Sequence, residues 1–508
     1  RRVLFRSDYY SGSPSRHSNR RSSIRKSNYS FRRRRRQHNR IPILLLILLL
    51  VAVVGCGVFI CIRQFQKMRP EKTPGSQSGV TVSGSVNGSS GSPTDPSVSD
   101  PLDPGQETSS SSTVSSTSLL EQANFIAAGY DYDKAIELLK GASDYDQHPE
   151  YLEAVTSYEQ AKETLVPYDL NKITHVFFHT LIMDEDKAFD GDSDERGYNQ
   201  VMTTADEFLK ILQSMYDKGF VLVRLHDIAY ETTDENGQAV LKKGEILLPE
   251  GKQAFVMSQD DVCYYEYMDG DGFASRMVIG ADGKPTCEMK LDDGTISTGS
   301  YDLVPLLEDF IQEHPDFSYR GARAVIAFTG YQGILGYRTA ASYSDSPTYE
   351  EDRQTASAVA QCLRDNGWEL ASHSWGHRDL GNIEYAHFKT DCDKWENEVE
   401  SLIGPTDIIL FPFGADVGDW HPYSSDNDRF NYLHSLGFRY FCNVDSTQYW
   451  IQFGKDYLRQ GRRNLDGYRM WKDIEAGDDT SKRKLDDLFK AEDVFSSKRP
   501  TPDRKSVV

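Results

Sequence analysis

The chain has 508 residues, 38% of them hydrophobic, which is enough to build a core in at least one of two or three domains. A protein that is disordered along its whole length is therefore excluded. The formal net charge is −20, but residues 1–40 contain thirteen Arg and one Lys against the single acid Asp8, so the rest of the chain carries −33. We expect the basic end and the acidic body to face different surroundings.

The two ends of the sequence resemble translated adapter sequence: RRVLFRS at residues 1–7 and DRKSVV at residues 503–508. We expect both pieces to be artefactual and leave them out of the fold prediction. The basic region up to residue 40 is predicted to be a cytoplasmic tail, because arginines before a membrane span stay on the cytoplasmic side.

An uncharged segment, IPILLLILLLVAVVGCGVFICI at residues 41–62, lies between Arg40 and Arg63. At a rise of about 1.5 Å per residue, a helix of this length crosses a hydrocarbon core of about 30 Å. The arginine run at residues 32–36 predicts that the chain before the span is cytoplasmic and that the chain after it is outside. The sequence therefore predicts a single-pass protein of the cell membrane with an extracytoplasmic C-terminal part.

The basic run could bind nucleic acid. Because it lies beside a membrane span, we instead expect it to fix the orientation of the span and to contact anionic lipid headgroups. We therefore predict no nucleic-acid partner. The span itself has two alternatives, which are lipidation at Cys56 in the lipobox-like VVGC and cleavage as a signal peptide.

Two segments separate the span from the main domain. Residues 63–118 are rich in Ser, Gly and Pro and are predicted to be a flexible linker. Residues 119–165 place Ala, Tyr, Ile and Leu at helical spacing and resemble about one and a half tetratricopeptide repeats, fewer than the roughly three that stacking requires. A helical collar packed on the next domain is favoured, and a module that binds a protein partner is the alternative.

Residues 170–500 alternate short apolar runs with amphipathic helices. The predicted strands include HVFFH, FVLVRL, AFVMSQ, AVIAFTG, WELA, DIIL and FRYFCNV. This rhythm predicts an α/β fold with a parallel sheet, and its length suits a barrel better than an open sheet. A Gly- and Asp-rich piece is predicted to be an inserted β-hairpin that turns at Asp282-Gly283.

The first candidate site is Asp260-Asp261, directly after the strand AFVMSQ. Adjacent carboxylates on an extended backbone point in different directions, so one can bind a metal while the other transfers protons. The structural alternative is that the pair only caps or solvates a turn. Its place at a strand end favours function, since barrel active sites gather there.

The second candidate site is HSWGH, in which His373 and His377 follow the strand WELA. Two His four residues apart can converge on one ion, in a helical turn or in a tight loop, and neutral imidazole suits zinc-like metals. Together with Asp261, the two histidines would give three ligands and leave coordination positions of the ion open for water and substrate. A surface HxxxH without a metal is the alternative, and the acidic pair at another strand end weakens it.

A third segment, FPFG at residues 411–414, follows the strand DIIL and means little alone. In this order and spacing, the three segments resemble the motifs of the polysaccharide deacetylase family, carbohydrate esterase family 4, which usually read TFDDG, HSxxH or HTxxH, and RxPYG. The catalytic region of that family, the NodB homology domain, is a distorted (β/α) barrel. The resemblance implies that Asp260 is the catalytic base. It also implies one divalent metal ion, with zinc preferred and cobalt, nickel or iron as alternatives, on Asp261, His373 and His377.

The sequence departs from the family pattern at three points. Val262 stands where Gly is usual, and Leu410 stands where many members have an Arg that orients the base. The late Leu-x-His motif that usually supplies the general acid is missing after Phe441. Members with a circularly permuted arrangement take that His from an early strand, and His179 ends the strand HVFFH. The resemblance thus implies His179 as the acid, with a hydrogen-bonded structural histidine as the alternative.

The resemblance implies a metal-dependent hydrolase that removes N-acetyl groups from an extracytoplasmic polysaccharide such as peptidoglycan or another N-acetylglucosamine polymer. Removal of O-acetyl groups from xylan-like glycans is one alternative. A non-catalytic carbohydrate-binding or scaffold protein that keeps the barrel is the other, motivated by Val262 and Leu410. Four aromatic residues near the motif loops are predicted to contact sugar rings, with core packing as the alternative for each: Tyr264, Trp375, Phe413 and Trp420.

Overall fold

The structure, a computed structural model, describes residues 118–502. The predicted cytoplasmic tail, the predicted span at residues 41–62, the linker up to residue 117 and the two ends set aside lie outside the described residues. Among residues 118–502, no helix combines the length and the apolar character needed to cross a bilayer.

Residues 118–502 contain sixteen strands. In chain order they are β1 (Val166–Pro167), β2 (Thr174–Phe178), β3 (Phe220–Leu222), β4 (Ala229–Thr233), β5 (Ala239–Lys243), β6 (Leu247–Leu248), β7 (Gln253–Gln259), β8 (Arg276–Ile279), β9 (Pro285–Lys290), β10 (Ile296–Gly299), β11 (Val325–Phe328), β12 (Glu369–Ser372), β13 (Ile408–Leu410), β14 (Tyr440–Val444), β15 (Ile451–Phe453) and β16 (Leu458–Asn464).

The same residues contain fourteen α-helices. In chain order they are α1 (Leu119–Ala128), α2 (Tyr132–Lys140), α3 (Pro149–Glu163), α4 (Glu185–Ala188), α5 (Glu195–Val201), α6 (Ala205–Asp217), α7 (Leu225–Ile228), α8 (Leu303–Glu313), α9 (Tyr349–Asp365), α10 (Tyr385–Trp395), α11 (Ser401–Ile403), α12 (Asp428–Ser435), α13 (Gly467–Ala476) and α14 (Ala491–Val494).

Seven parallel strands close into a barrel. Their order is β7, β11, β12, β13, β14, β16, β2 and back to β7. Strand β3 adds to β7 in parallel, and β15 adds to β16 in antiparallel orientation. The prediction of a (β/α) barrel is therefore confirmed.

The barrel strands alternate between two buried layers, as the twofold repeat of a strand requires. On β7, Ala254 and Val256 belong to one cluster of buried side chains, whereas Phe255 and Met257 belong to another that also contains Phe208 of α6. Both faces of the strand are thus apolar, which is why the sequence reads as a continuous hydrophobic run. Each fully buried Val, Phe or Met side chain contributes about 1.5–3 kcal/mol to folding.

Strand β16 is the one barrel strand that the sequence analysis did not predict. Its sequence, LRQGRRN, contains three arginines, yet all seven of its residues are buried. The arginines are compensated by carboxylates from distant parts of the chain: Asp416 for Arg459, Asp260 for Arg462 and Asp487 for Arg463. A local apolar pattern cannot reveal such a strand, because its burial depends on long-range ion pairs.

The helical segment packs on the barrel through the turn between α1 and α2. Tyr130, at φ 67°, stacks on Tyr319 with ring centroids 6.3 Å apart, and its hydroxyl donates to the Asp316 carbonyl over 2.9 Å. The Arg320 amide donates to the Gly129 carbonyl over 2.7 Å. Helices α1–α3 also share a small core of their own. The turn between α1 and α2 thus docks the helical segment on the barrel, and its role as a collar stays a prediction.

The predicted insertion is a three-stranded antiparallel sheet of β8, β9 and β10. Its first turn contains Asp282-Gly283, as predicted, with Gly283 at φ 78°, where glycine is favoured. The third strand, β10, was not predicted. The insertion is the next sheet along the chain after β7, and residues 260–275, which include the Asp260-Asp261 motif, connect the two.

Candidate active site

The hydrogen bonding of the barrel fixes both main motifs at strand ends. Asp260 follows β7, and its amide donates to the Phe178 carbonyl of β2 over 2.8 Å. His373 follows β12, and its amide donates to the Phe328 carbonyl of β11 over 2.9 Å. Because parallel strands end at the same edge, these distant segments meet at the carboxyl end of the barrel.

Asp261, His373 and His377 converge as the resemblance implied. One ligand atom from each residue can be chosen so that all three lie within 4.8 Å of one another. His377 Nε2 lies 3.5 Å from Asp261 Oδ2. Two ligands bound at about 2.1 Å to a tetrahedral ion are about 3.4 Å apart. The three residues therefore fit a divalent ion of this kind.

The loops that carry these ligands adopt unusual backbone angles. Asp261, Ser374 and His377 have φ values of 60°, 60° and 49°, in the left-handed region that side chains other than glycine rarely adopt. Each such residue costs about 1–3 kcal/mol, so the surrounding structure must hold it in place. Buried Asp391 does this for the HSWGH turn, because its carboxylate accepts the amides of Trp375 and Gly376 over 2.9 and 2.8 Å.

Neighbouring groups orient the proposed ligands. His373 Nδ1 lies 2.7 Å from the Leu410 carbonyl oxygen, to which it donates, and this leaves Nε2 to face the cluster. The Tyr265 hydroxyl donates to Asp261 Oδ1 over 2.7 Å. Leu410 lacks the guanidinium expected of the family at its position, but its backbone carbonyl supports a proposed ligand.

Asp260 lies beside the cluster and is held by an arginine. Arg462 Nη1 donates to Asp260 Oδ1 over 2.6 Å, and both side chains are buried. Asp260 Oδ2 lies 3.7 Å from His373 Nε2. Burial alone would raise the pKa of Asp260, but Arg462 and His373 outweigh it and hold the pKa below its usual range. Asp260 is therefore a carboxylate at neutral pH.

Asp261 and His377 are in the protonation states that a metal requires. Burial alone would raise the pKa of Asp261, but His377 and His373 outweigh it and hold the pKa below its usual range. Burial lowers the pKa of His377 to about 4, so its ring is neutral at neutral pH. A carboxylate and a neutral imidazole are the forms that bind a divalent cation.

His179 lies at the same end of the barrel, directly after β2. Its ring is close enough to interact electrostatically with Asp260, Asp261, His377 and the buried carboxylate of Asp466, whose pKa values it influences. The ring is half-buried and meets Phe177 edge to face at 5.8 Å. The structure thus brings His179 to the site, and its role as the acid stays a prediction.

The four predicted sugar contacts lie in different surroundings. Phe413 is 43% exposed, and its ring centroid lies 4.5 Å from that of His377. Trp420 is 71% exposed. Trp375 is half-buried, with Lys394 Nζ 3.8 Å from its ring centroid. Tyr264 does not fit the prediction, because it is 2% exposed and its hydroxyl donates to buried Asp302 over 2.7 Å.

No family model matches the chain, and no curated protein matches it in sequence. Among solved structures, the Streptococcus pyogenes deacetylase PplD, in complex with acetate, is 13% identical with a TM-score of 0.31, over 59% of this chain and 93% of that chain. A de-N-acetylase from Aggregatibacter actinomycetemcomitans is 15% identical with a TM-score of 0.33, over 58% of this chain and 95% of that chain. The fold is a closed barrel of seven parallel strands. At this level of identity, the activity has to be inferred from the site itself.

Two partners of the site were missed by sequence reasoning. Arg462 was missed because β16 reads as a polar loop, although the lack of an Arg at Leu410 was a signal that another cation must support Asp260. Nothing in the sequence marks Tyr265 as a partner of Asp261, although its hydroxyl donates to Asp261 Oδ1. Val262, the other departure from the family pattern, is fully buried in the core and its amide donates to the Ala327 carbonyl.

Proposed function

We propose that the chain is a metal-dependent hydrolase that removes N-acetyl groups from a polysaccharide. The observation that carries the proposal is the cluster of Asp261, His373 and His377 beside a second buried carboxylate, Asp260, held by Arg462. Two imidazoles and one carboxylate are a donor set for zinc, with cobalt, nickel or iron as alternatives. A further carboxylate beside such a set is available for proton transfer.

The residues of the chain would carry the proton transfers. When bound, a divalent ion supplies Lewis acidity that makes water a better nucleophile. Asp260 accepts a proton from water as the new C–O bond forms at the acetyl carbon, while Arg462 keeps Asp260 ionised and fixes its Oδ1. His179 protonates the amine nitrogen as the C–N bond breaks, and acetate and a free amino sugar result. The backbone N–H of Phe413 is the candidate donor to the developing oxyanion.

We propose peptidoglycan or another N-acetylglucosamine polymer as the substrate. Sugar rings have apolar faces that aromatic side chains can cover. The exposed ring of Phe413 lies beside His377, and Trp420 is exposed on the loop after β13. These positions support a carbohydrate substrate, and O-acetylated xylan remains the alternative acyl donor.

A non-catalytic carbohydrate-binding barrel is the rival proposal. It was motivated by Val262 and Leu410, the two departures from the family pattern. Neither departure damages the site, because Val262 is accommodated in the core and the cation that Leu410 lacks is supplied by Arg462. Catalysis is therefore favoured.

We also propose that the barrel is extracytoplasmic and anchored by the apolar segment at residues 41–62, with the N-terminus in the cytoplasm. The support is the sequence alone, namely the uncharged segment and the arginines before it. Protease added to intact cells should remove the barrel. Full protection of the barrel in intact cells, together with its digestion after lysis, would contradict this orientation.

The activity can be tested by measuring acetate release from a panel of N- and O-acetylated glycans, using the full chain with and without a chelator. Asp309→Asn, an exposed change of the same type, is the matched control for Asp260→Asn. The proposal expects chelator-sensitive acetate release from an N-acetylglucosamine polymer by the wild type and the control. Release only from acetylated xylan would favour the esterase, and glycan binding without acetate release would favour the non-catalytic rival.

A further inference from the structure

His175 is a fully buried histidine that the proposed reaction does not use. It lies on β2, in register with Val256 of β7 and Arg462 of β16. Val256 belongs to the buried cluster that gathers residues from β7, β11, β12, β13, β14 and β16, so this cluster fills the inside of the barrel. Paired residues of neighbouring strands point to the same face of the sheet. His175 therefore lies inside the barrel, below the end of β7 where Asp260 lies.

Both ring nitrogens of His175 have a partner, and the partners fix which nitrogen carries the proton. Gln460 Nε2 donates to the Ile173 carbonyl over 3.1 Å, because a carbonyl oxygen can only accept. Gln460 Oε1 is thereby turned toward His175 Nδ1, 3.2 Å away, and Nδ1 must donate to it. Burial and the charge of Arg462 hold the pKa of His175 well below its usual range, so the ring is neutral and Nε2 can only accept.

Two further hydrogen bonds connect His175 to the proposed base. Ser258 Oγ lies 3.0 Å from His175 Nε2 and donates to it, because Nε2 carries no proton. The Ser258 oxygen in turn accepts from Arg462 Nη1 over 3.2 Å, and the same Nη1 donates to Asp260 Oδ1 over 2.6 Å. Each of these side chains is buried. The donors and acceptors therefore form one chain with a single consistent direction for every proton.

The imidazole at position 175 determines how Ser258 meets Arg462. A serine hydroxyl can rotate and donate its one proton in several directions. With His175 as the acceptor, the proton points away from Arg462, and a lone pair of the oxygen faces the guanidinium. Without His175, the proton loses this acceptor and can turn toward the guanidinium, which repels it. The neutral imidazole thus keeps Ser258 an acceptor for Arg462.

We propose that His175 is a positioning residue, which holds Arg462 on Asp260 through Ser258. The inference rests on the proposed function, in which Asp260 is the base, and deepens it by adding a residue that acts through its neighbours. Because the chain is buried, its hydrogen bonds are electrostatically stronger than they would be in water. Loss of His175 should therefore slow the reaction through Arg462 alone.

The test is a double-mutant cycle on the full chain, with kcat measured for acetate release from an N-acetylglucosamine polymer. His175→Leu removes both hydrogen-bonding nitrogens, whereas His175→Gln keeps a donor and an acceptor. Each change is made alone and together with Arg462→Met. Arg459→Met is the matched control background, because Arg459 is a buried arginine of the same strand that lies on the opposite face and pairs with Asp416. Free energies of unfolding and bound metal are measured on the same proteins.

His175→Leu should lower kcat by about tenfold, and His175→Gln should retain most of the wild-type rate. In the Arg462→Met background, His175→Leu should cause no further loss, because the residue through which His175 acts is already gone. In the Arg459→Met background, the loss should again be about tenfold. The changes in the free energy of unfolding should likewise add with Arg459→Met and fail to add with Arg462→Met.

A wild-type rate in His175→Leu, or losses that multiply in the Arg462→Met background, would overturn the inference. If His175→Leu does not fold, Ser258→Ala is measured in the same two backgrounds with the same expectations, because it removes the hydroxyl that connects His175 to Arg462. Absence of acetate release by the wild type would instead contradict the proposed function. The unfolding cycle would then decide the inference, because additive changes with Arg462→Met would overturn it.

Discussion

Arg462 lies on β16 and reaches past β2 to Asp260 at the end of β7, where its Nη1 is 2.6 Å from Oδ1. The same guanidinium also donates to Ser258 Oγ over 3.2 Å and to the Asn443 carbonyl over 3.3 Å. Because groups on both β7 and β14 fix the side chain, its charge is directed at Asp260. The chain therefore supports the proposed base from a different strand than the one that carries Leu410.

Replacing Arg462 by Met should lower the rate by about 10²-fold or more and shift the acid limb of the pH–rate profile to higher pH. The sign follows from the charge: Arg462 lowers the pKa of Asp260, so its loss raises that pKa, and Asp260 becomes protonated sooner as the pH falls. The measurement is kcat/KM as a function of pH. Breaking a buried pair should also cost about 3–5 kcal/mol of stability.

Arg459→Met is the matched control for this change. It breaks another buried Arg–Asp pair on the same strand, with Asp416 at 2.8 Å, without touching Asp260. It should lower the melting temperature but leave the acid limb in place. A shift of the acid limb in both variants, or in neither, would contradict a specific role for Arg462.

His377→Ala should remove the metal, because it deletes one of three protein ligands. Metal content per chain is measured after dialysis, with the exposed loop histidine variant His421→Ala as the control. The control should keep about one ion per chain. Stoichiometric metal in His377→Ala would mean that the site is wrongly assigned.

His179→Ala should reduce the rate on an amide substrate by about 10²–10⁴-fold. The same substitution should reduce the rate on an activated ester much less, because the leaving group of the ester needs no proton. Parallel kinetics on the two substrates separate these effects. Equal losses on both would make His179 a structural or metal-orienting residue.

Deprotonation of His226 should lower the free energy of unfolding of the barrel at alkaline pH. Its Nδ1 contacts Glu369, and its Nε2 lies 3.2 Å from Asp407 Oδ2, at the end of the barrel opposite the site. Burial alone would lower the pKa of His226, but the two carboxylates outweigh it and raise the pKa to about 10. The unfolded value is about 6.5. The stabilisation is therefore complete below about pH 6.5 and is lost as the pH rises to about 10.

Thermal melting from pH 6 to pH 10 tests this account. Over that range, the melting temperature of the wild type should fall by a few degrees more than that of His226→Gln. The two melting temperatures should become similar near pH 10. Acetate release at neutral pH should be little affected, since His226 lies away from the site. Parallel melting curves for the two proteins at every pH would contradict the coupling.

The sequence was sufficient to predict the strands that carry the main motifs and the convergence of the proposed ligands. Strands β7, β11 and β12 are apolar runs, and parallel strands in a barrel bring their ends together. Strand β16 could not be predicted in this way, since its arginines are buried only because distant carboxylates compensate them. The locations of Tyr264 and Tyr265 were equally hidden, because the left-handed turn at Tyr264, with φ 47°, places both side chains.

The most direct test of the central claim compares Asp260→Asn with the wild type in the same preparation, measuring bound metal and acetate release together. An amide keeps the shape of the side chain but cannot accept a proton from water. The account predicts about one divalent ion per chain in both proteins and a loss of acetate release of at least about 10²-fold in the variant. Acetate release at the wild-type rate by metal-loaded Asp260→Asn would contradict it.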